Sequence, residues 1–175
     1  IQKSIRNLSS VSFSSQVFPF LMDISTKEGV DTVFEEAIKV LGGIDIFYAN
    51  AGYPYYELFD YTDWDRVKSM FETNVFSPIY TYSKFREYLN GASGIYAVTV
   101  SAIGQMAMPG YGIYSASKFA FEGFQQALRL EMDKNIQLTC LYPVATDTNF
   151  FKVANPVEFE KPFPVQRAPY VAKKM

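Results

Sequence analysis

A chain of 175 residues in which 49% are hydrophobic, with 16 Phe and 13 Tyr, has the size and composition of one globular domain with its own core. A formal charge of -2, with no block of like charges, offers no basic surface to nucleic acid or to an anionic membrane. The chain has no histidine, which excludes His-based catalytic triads and removes the commonest transition-metal ligand, so no metal site is expected.

No apolar run approaches the roughly 18 residues that a spanning helix needs, and the first residues, IQKSIRN, do not resemble a secretory signal. A cytoplasmic protein is expected. The single Cys140 lies in the apolar run IQLTCLYP and reads as a small core residue; one cysteine makes no intrachain disulfide, which fits a reducing compartment. The NLS match at Asn7–Ser9 reads as a chance glycosylation pattern.

Taken in chain order, VFPFLMD (Val17–Asp23) predicts a buried strand. Ser25 followed by Glu28 forms a capping-box pattern, and Val30, Val33, Phe34, Ala37, Ile38 and Leu41 fall on one helical face that Gly42 and Gly43 can end. IDIFYA (Ile44–Ala49) is almost continuously apolar, as in a strand covered on both faces. A long helical pattern follows from about Asp63 to Leu89, then IYAVTVS as strand, YGIYSASKFAFEGFQQALRLEMDKN as helix and IQLTCLY as strand. Phe119, Phe121, Phe124 and Leu128 read as packing residues. After Tyr142 the periodicity stops. Residues 143–169 hold five prolines and read as a substrate loop or lid, and APYVAKKM can begin another helix.

Strands alternating with helices imply βαβ units: one α/β domain over residues 1–175, a doubly wound parallel sheet between helix layers. Ligands in such folds sit beyond the carboxyl ends of the strands. That rule gathers Asp23, the turn Asn50-Ala51-Gly52, Ser101 and the turn after Tyr142.

Three Tyr-x-x-x-Lys matches occur: Tyr80/Lys84, Tyr114/Lys118 and Tyr170/Lys174. Residues at i and i+4 share a helix face, and an ammonium close to a phenol favours the phenolate, so such a pair can move a proton to or from oxygen. Tyr114 alone has a hydroxyl at a predicted strand end thirteen residues upstream, Ser101; the equivalent positions for Tyr80 and Tyr170 are Val67 and Val157.

Four stretches together resemble the short-chain dehydrogenase/reductase family in its single-domain branch: MDIS, YANAGY, ETNVFSP and VTVSAIGQMAMPGYGIYSASKFA. The resemblance runs from Val17 to Phe151 and implies a Rossmann-like sheet in three α/β/α layers. It implies an NAD- or NADP-dependent oxidoreductase interconverting a small-molecule carbonyl and alcohol. Tyr114 would be the general acid or base. Lys118 would lower the tyrosine pKa and bind the nicotinamide ribose, and Ser101 would hold the substrate oxygen. Asn74 would hold a water in a proton relay. On the cofactor side, Asp23 and Ile24 would border adenine, and Asn50, Ala51 and Gly52 the adenosine ribose. Pro143, Thr146 and Thr148 would contact the nicotinamide amide and the phosphates. Asp23 could equally cap the helix that follows it. The family also commonly pairs its two long helices with their copies, so a homodimer or homotetramer is expected.

Two departures accompany the resemblance. The family's Gly-rich phosphate turn, Thr-Gly-x-x-x-Gly-x-Gly, has no match. IQKSIRNLSS reads instead as the tail of a helix, and no seventh strand follows, so the chain reads as part of a longer protein. Val144 stands where the family usually has Gly: it is costly if the position needs positive φ, and narrows the pocket otherwise. Two other readings stay open, a non-catalytic nucleotide sensor or scaffold and a sugar-nucleotide epimerase or dehydratase.

Overall fold

The computed structural model describes residues 17–58, 63–150 and 165–175. Its sheet is parallel and runs in chain order: β1 (Ile46–Ala49), β2 (Gly94–Thr99) and β3 (Ile136–Leu141). The register places Phe47 beside Tyr96 and Tyr96 beside Leu138, so these three side chains form one row across one sheet face. The helices on that face are α1 (Lys27–Leu41), α3 (Ser77–Leu89) and α4 (Gly112–Glu131), while α2 (Trp64–Phe71) packs against α4. Right-handed crossovers between successive neighbours place their helices on a common side. A single core cluster accordingly joins Phe34, Tyr82, Phe85, Phe121 and Leu128 to Tyr96, Val98 and Leu138.

The row of aromatics explains why this face buries well. Phe47 stacks on Phe34 at 4.9 Å and on Tyr96 at 5.8 Å, while Tyr82 meets Tyr96 edge-on at 5.3 Å. The Tyr96 hydroxyl does not go unpaired in this apolar setting, because it donates to the Pro78 carbonyl at 2.6 Å and pairs with the Thr81 hydroxyl. Phe121 and Leu128 are core residues as expected, whereas Phe119 is exposed.

Several local expectations change. Val17–Asp23 forms no strand, and Leu21 is 78% exposed. Apolar content signals a strand, but a strand also needs a ladder partner, and among the described residues β1 pairs only with β2. IDIFYA is not covered on both faces: Ile46 is 61% exposed, because its side chain alternates away from the helix layer. The cap of α1 is Thr26, not Ser25; its hydroxyl accepts from the Gly29 N–H at 3.0 Å, while Ser25 donates to the Asp23 carboxylate. Gly42 ends α1 at φ 77°, as the sequence predicts.

The long helical pattern begins at its N-cap Asp63 and is interrupted by a π-turn at Glu72–Phe76 between α2 and α3. Beyond β3, the residue pairs β4 (Thr146–Asp147) and β5 (Gln166–Arg167) run parallel, and α5 (Ala168–Lys174) is the helix expected from APYVAKKM. Residues 151–164 of the expected lid, the IQKSIRNLSS segment with Asn7–Ser9, and positions 59–61 of YPYYELFDY lie outside the described residues. No described helix is long and apolar enough to cross a membrane.

Candidate active site

The carboxyl ends of the strands deliver the site. After β2 the backbone N–H groups of Val100 and Ser101 both donate to the Leu141 carbonyl, at 2.8 and 3.2 Å. Ser101 is held at φ 94°, ψ 149°, a region that costs a residue with a side chain on the order of 1–3 kcal/mol. Its hydroxyl accepts from the Ile103 N–H at 3.3 Å and lies beside the Tyr114 phenol. Tyr114 and Lys118 lie in α4, and each is about 5% exposed or less. Burial pushes the Tyr114 phenol up to about 12, the Ser101 hydroxyl pulling the other way.

Lys118 is equally shaped by burial, which lowers its amine from 10.5 to about 8. Its Nζ donates to the Thr99 carbonyl at 3.1 Å and lies 5.8 Å from the centre of the Tyr114 ring. The net shift of the Tyr114 phenol is upward because burial outweighs the Ser101 hydroxyl, and Lys118 is not among the groups that set it in this structure.

Asn74 occupies the π-turn and is 2% exposed. Its Nδ2 donates to the Tyr53 carbonyl (3.0 Å) and the Ser117 hydroxyl (3.1 Å), and its Oδ1 accepts from the Tyr53 N–H (3.1 Å). The Ser117 hydroxyl in turn donates to the Tyr114 carbonyl at 2.7 Å. Asn74 thus clamps the turn after β1 to the helix that carries Tyr114. A Cβ on Gly52 would come 3.0 Å from Asn74 Oδ1, a tight contact, and 3.6 Å from Lys118 Nζ, an ordinary one, so glycine eases the approach of that turn to Asn74.

A cavity of about 460 Å³ opens at this point, lined among others by Asn50, Ala51, Gly52, Pro143, Thr146 and Thr148. Six expected cofactor-side residues therefore share one cavity. Val144 lines it too and is not among the non-glycine residues with positive φ, so it shapes the pocket without backbone strain. Ile24, with Asn50 and Ala51, lines a second cavity of about 150 Å³ beside Val30 and Phe47. Asp23 is not among the residues lining either cavity; its carboxylate is held below its ordinary pKa by hydrogen bonds from Ser25.

The other two Tyr-x-x-x-Lys pairs lie elsewhere. Tyr80 and Lys84 both bind Asp31 of α1, at 2.7 and 3.4 Å, and Tyr170 on α5 is 57% exposed. Thr99, Ser117 and Tyr53 are the participants that sequence reasoning missed. Thr99 falls inside the predicted strand IYAVTVS and ends the observed β2, and Ser117 falls inside YSASK, but Tyr53 acts through its backbone, for which no side-chain signal exists.

Comparison with known proteins bears on the family and the fold. The chain is 34% identical over 128 residues to a 3-dehydrosphinganine reductase of Danio rerio, covering 72% of this chain and 39% of that protein. It is 30% identical over 143 residues to estradiol 17-beta-dehydrogenase 11 of Rattus norvegicus, covering 79% and 48%. The chain thus spans less than half the length of these two curated relatives. Among solved structures, an alcohol dehydrogenase from Thermococcus sibiricus complexed with 5-hydroxy-NADP superposes with a TM-score of 0.83 at 22% identity, over 99% of this chain and 72% of that one. A short chain dehydrogenase/reductase from Burkholderia phymatum in complex with NAD superposes with 0.75 at 18% identity, over 98% and 62%. Both share the Rossmann-like parallel α/β fold seen here. The short chain dehydrogenase family profile matches residues 1–158, and the chain belongs to that family.

Proposed function

We propose that the protein bearing this chain is an NAD- or NADP-dependent oxidoreductase that interconverts a carbonyl and an alcohol, with Tyr114 as its general acid and base. One observation carries the reading: the Tyr114 phenol, the Ser101 hydroxyl and the Lys118 amine converge in a buried position beside the cavity at the strand ends.

The residues lining that cavity fit a nicotinamide nucleotide. Asn50, Thr146 and Thr148 supply amide and hydroxyl groups suited to ribose and carboxamide, and Gly52 leaves room that a Cβ would fill. Two structural relatives are described as complexes with 5-hydroxy-NADP and with NAD. The bound nucleotide would supply or accept the hydride. Lys118, with its amine close to Gly52, would hold the ribose hydroxyls.

A phenol titrating near 12 is protonated at neutral pH. In reduction Tyr114 gives its proton to the carbonyl oxygen as that oxygen gains negative charge, while the Ser101 hydroxyl donates to the same oxygen. In oxidation the alcohol proton passes to the phenolate. The Lys118 ammonium favours that phenolate once a charge exists on it. Asn74 keeps one Oδ1 lone pair after its three hydrogen bonds, a place for a relay water.

Carbonyl-dependent oxidation of NADH or NADPH by the full-length protein and by Tyr114→Phe tests this assignment. Loss of turnover by at least ~100-fold, with nucleotide binding kept, is expected; unchanged turnover would sink it. The same reading carries a homodimer or homotetramer in the cytoplasm, with Cys140 as a free thiol. A monomer by light scattering, or recovery in a membrane pellet, would count against that part.

A further inference from the structure

The last residue of β2, Thr99, holds two groups of the site at once. Its carbonyl accepts from the Lys118 amine at 3.1 Å, and its hydroxyl donates to Asn50 Oδ1 at 2.9 Å. Tyr48 lies on the same sheet face, away from the helices, because its neighbour across the ladder is Ala97, two residues before Thr99. The Tyr48 and Thr99 hydroxyl oxygens are 2.8 Å apart.

The direction of each bond follows from the supply of protons. An amide oxygen only accepts, so the single Thr99 hydroxyl proton goes to Asn50. The Tyr48 phenol must then donate to Thr99, since its other acceptor, the Met175 sulfur at 3.7 Å, is a weak one. Turning the Asn50 amide over would reverse this chain and leave the Tyr48 proton only that sulfur or solvent. The chain thus sets which way the amide faces.

Among the described residues Asn50 Nδ2 finds no acceptor, and Asn50 belongs to the walls of both the cavity of about 460 Å³ and that of about 150 Å³. Its two N–H groups are the end of the amide offered to a ligand, and they suit an oxygen acceptor.

Resting on the oxidoreductase reading above, we propose that Thr99 and Tyr48 are positioning residues for the nucleotide: they hold the Asn50 amide so that its N–H groups donate to an oxygen of bound NAD or NADP. Both act through Asn50.

Calorimetric titration of the full-length protein with NAD and with NADP tests this. Thr99→Val removes the hydroxyl but keeps the carbonyl that holds Lys118 and a β-branched shape suited to a strand. It should weaken binding of the preferred nucleotide by about three- to tenfold, the loss of one neutral hydrogen bond. Thr99→Ser should restore affinity to within about twofold of the wild type. Tyr48→Phe, at a position 41% exposed, should give a smaller loss in the same direction. In an Asn50→Ala background Thr99→Val should change nothing further. Wild-type affinity in Thr99→Val, an equal loss with and without Asn50, or a Thr99→Ser that binds no better than Thr99→Val overturns the proposal.

If the wild type binds neither nucleotide, the oxidoreductase reading fails, and NMR of the nucleotide-free protein still judges the positioning of Asn50. Its side-chain amide resonances, identified by their absence in Asn50→Ala, should move in Thr99→Val and Tyr48→Phe and return in Thr99→Ser. Resonances that Thr99→Val leaves in place overturn the proposal.

Discussion

Replacing Lys118 by Met is expected to make the nucleotide-free protein more stable at neutral pH, although it removes a residue of the proposed chemistry. The buried amine titrates near 8 instead of 10.5 because its charged form has lost hydration. That drop corresponds to about 3 kcal/mol of destabilisation wherever both folded and unfolded chains hold the proton, that is, below pH 8. Methionine matches the length of the stem and carries no charge, but it leaves the Thr99 carbonyl without its donor, a loss of about 1 kcal/mol.

The net expectation is a gain of about 2 kcal/mol at pH 7. Its pH dependence follows from proton counting. Between pH 8 and 10.5 the unfolded chain holds more protons at this residue than the folded one, so the wild type gains stability as pH rises. The advantage of Lys118→Met should therefore shrink through this window and vanish near its top. Tyr114, raised to about 12, works in the opposite direction above pH 10, where the folded state retains the proton, but it is present in both proteins and largely cancels in their difference. Urea denaturation of the two full-length proteins at pH 7, 9 and 10.5, without nucleotide, reads the difference as a shift in midpoint at constant m. A variant less stable than wild type at pH 7, or a difference that ignores pH, would refute the reasoning.

Asn74→Leu should lower stability by about 2–4 kcal/mol, since it strips three hydrogen bonds and leaves both backbone groups of Tyr53 to find other partners; denaturant midpoints check this, and a loss below 1 kcal/mol would show that the clamp matters little. Gly110→Ala should displace the turn that carries Tyr53 and Tyr56, because Gly110 sits at φ 76° and a Cβ there would lie 2.1 Å from the Tyr56 ring. A loss of about 1–3 kcal/mol with altered tyrosine fluorescence is expected, and a silent substitution would contradict the packing.

The amphipathic helices were legible because their apolar residues recur at helical spacing; α1, for example, buries Val30 and Phe34 as its pattern requires. Gly42 was legible for a similarly local reason. Val17–Asp23 was misread because a ladder partner is not a local property. The π-turn was invisible in ETNVFSP, where nothing but helix-compatible residues occurs before Pro78. The burial of Glu122 was equally hidden. Its carboxylate accepts from Gln125 and Gln126 on its own helix and from the Tyr142 hydroxyl, which reaches it only once α4 packs on β3.

For the site, the order of residue types along the chain was enough to single out Tyr114 and Lys118 from two identical spacings, since Ser101 and Asn74 accompany only that pair. What the order could not state was the electrostatics. The phenol is raised and the amine lowered because both are enclosed, and enclosure is a sum over neighbours from β1, β2, the π-turn and α4. Residue identity sets which groups can exchange a proton; only the packed structure sets how much water each has lost, and so which of them holds the proton at neutral pH.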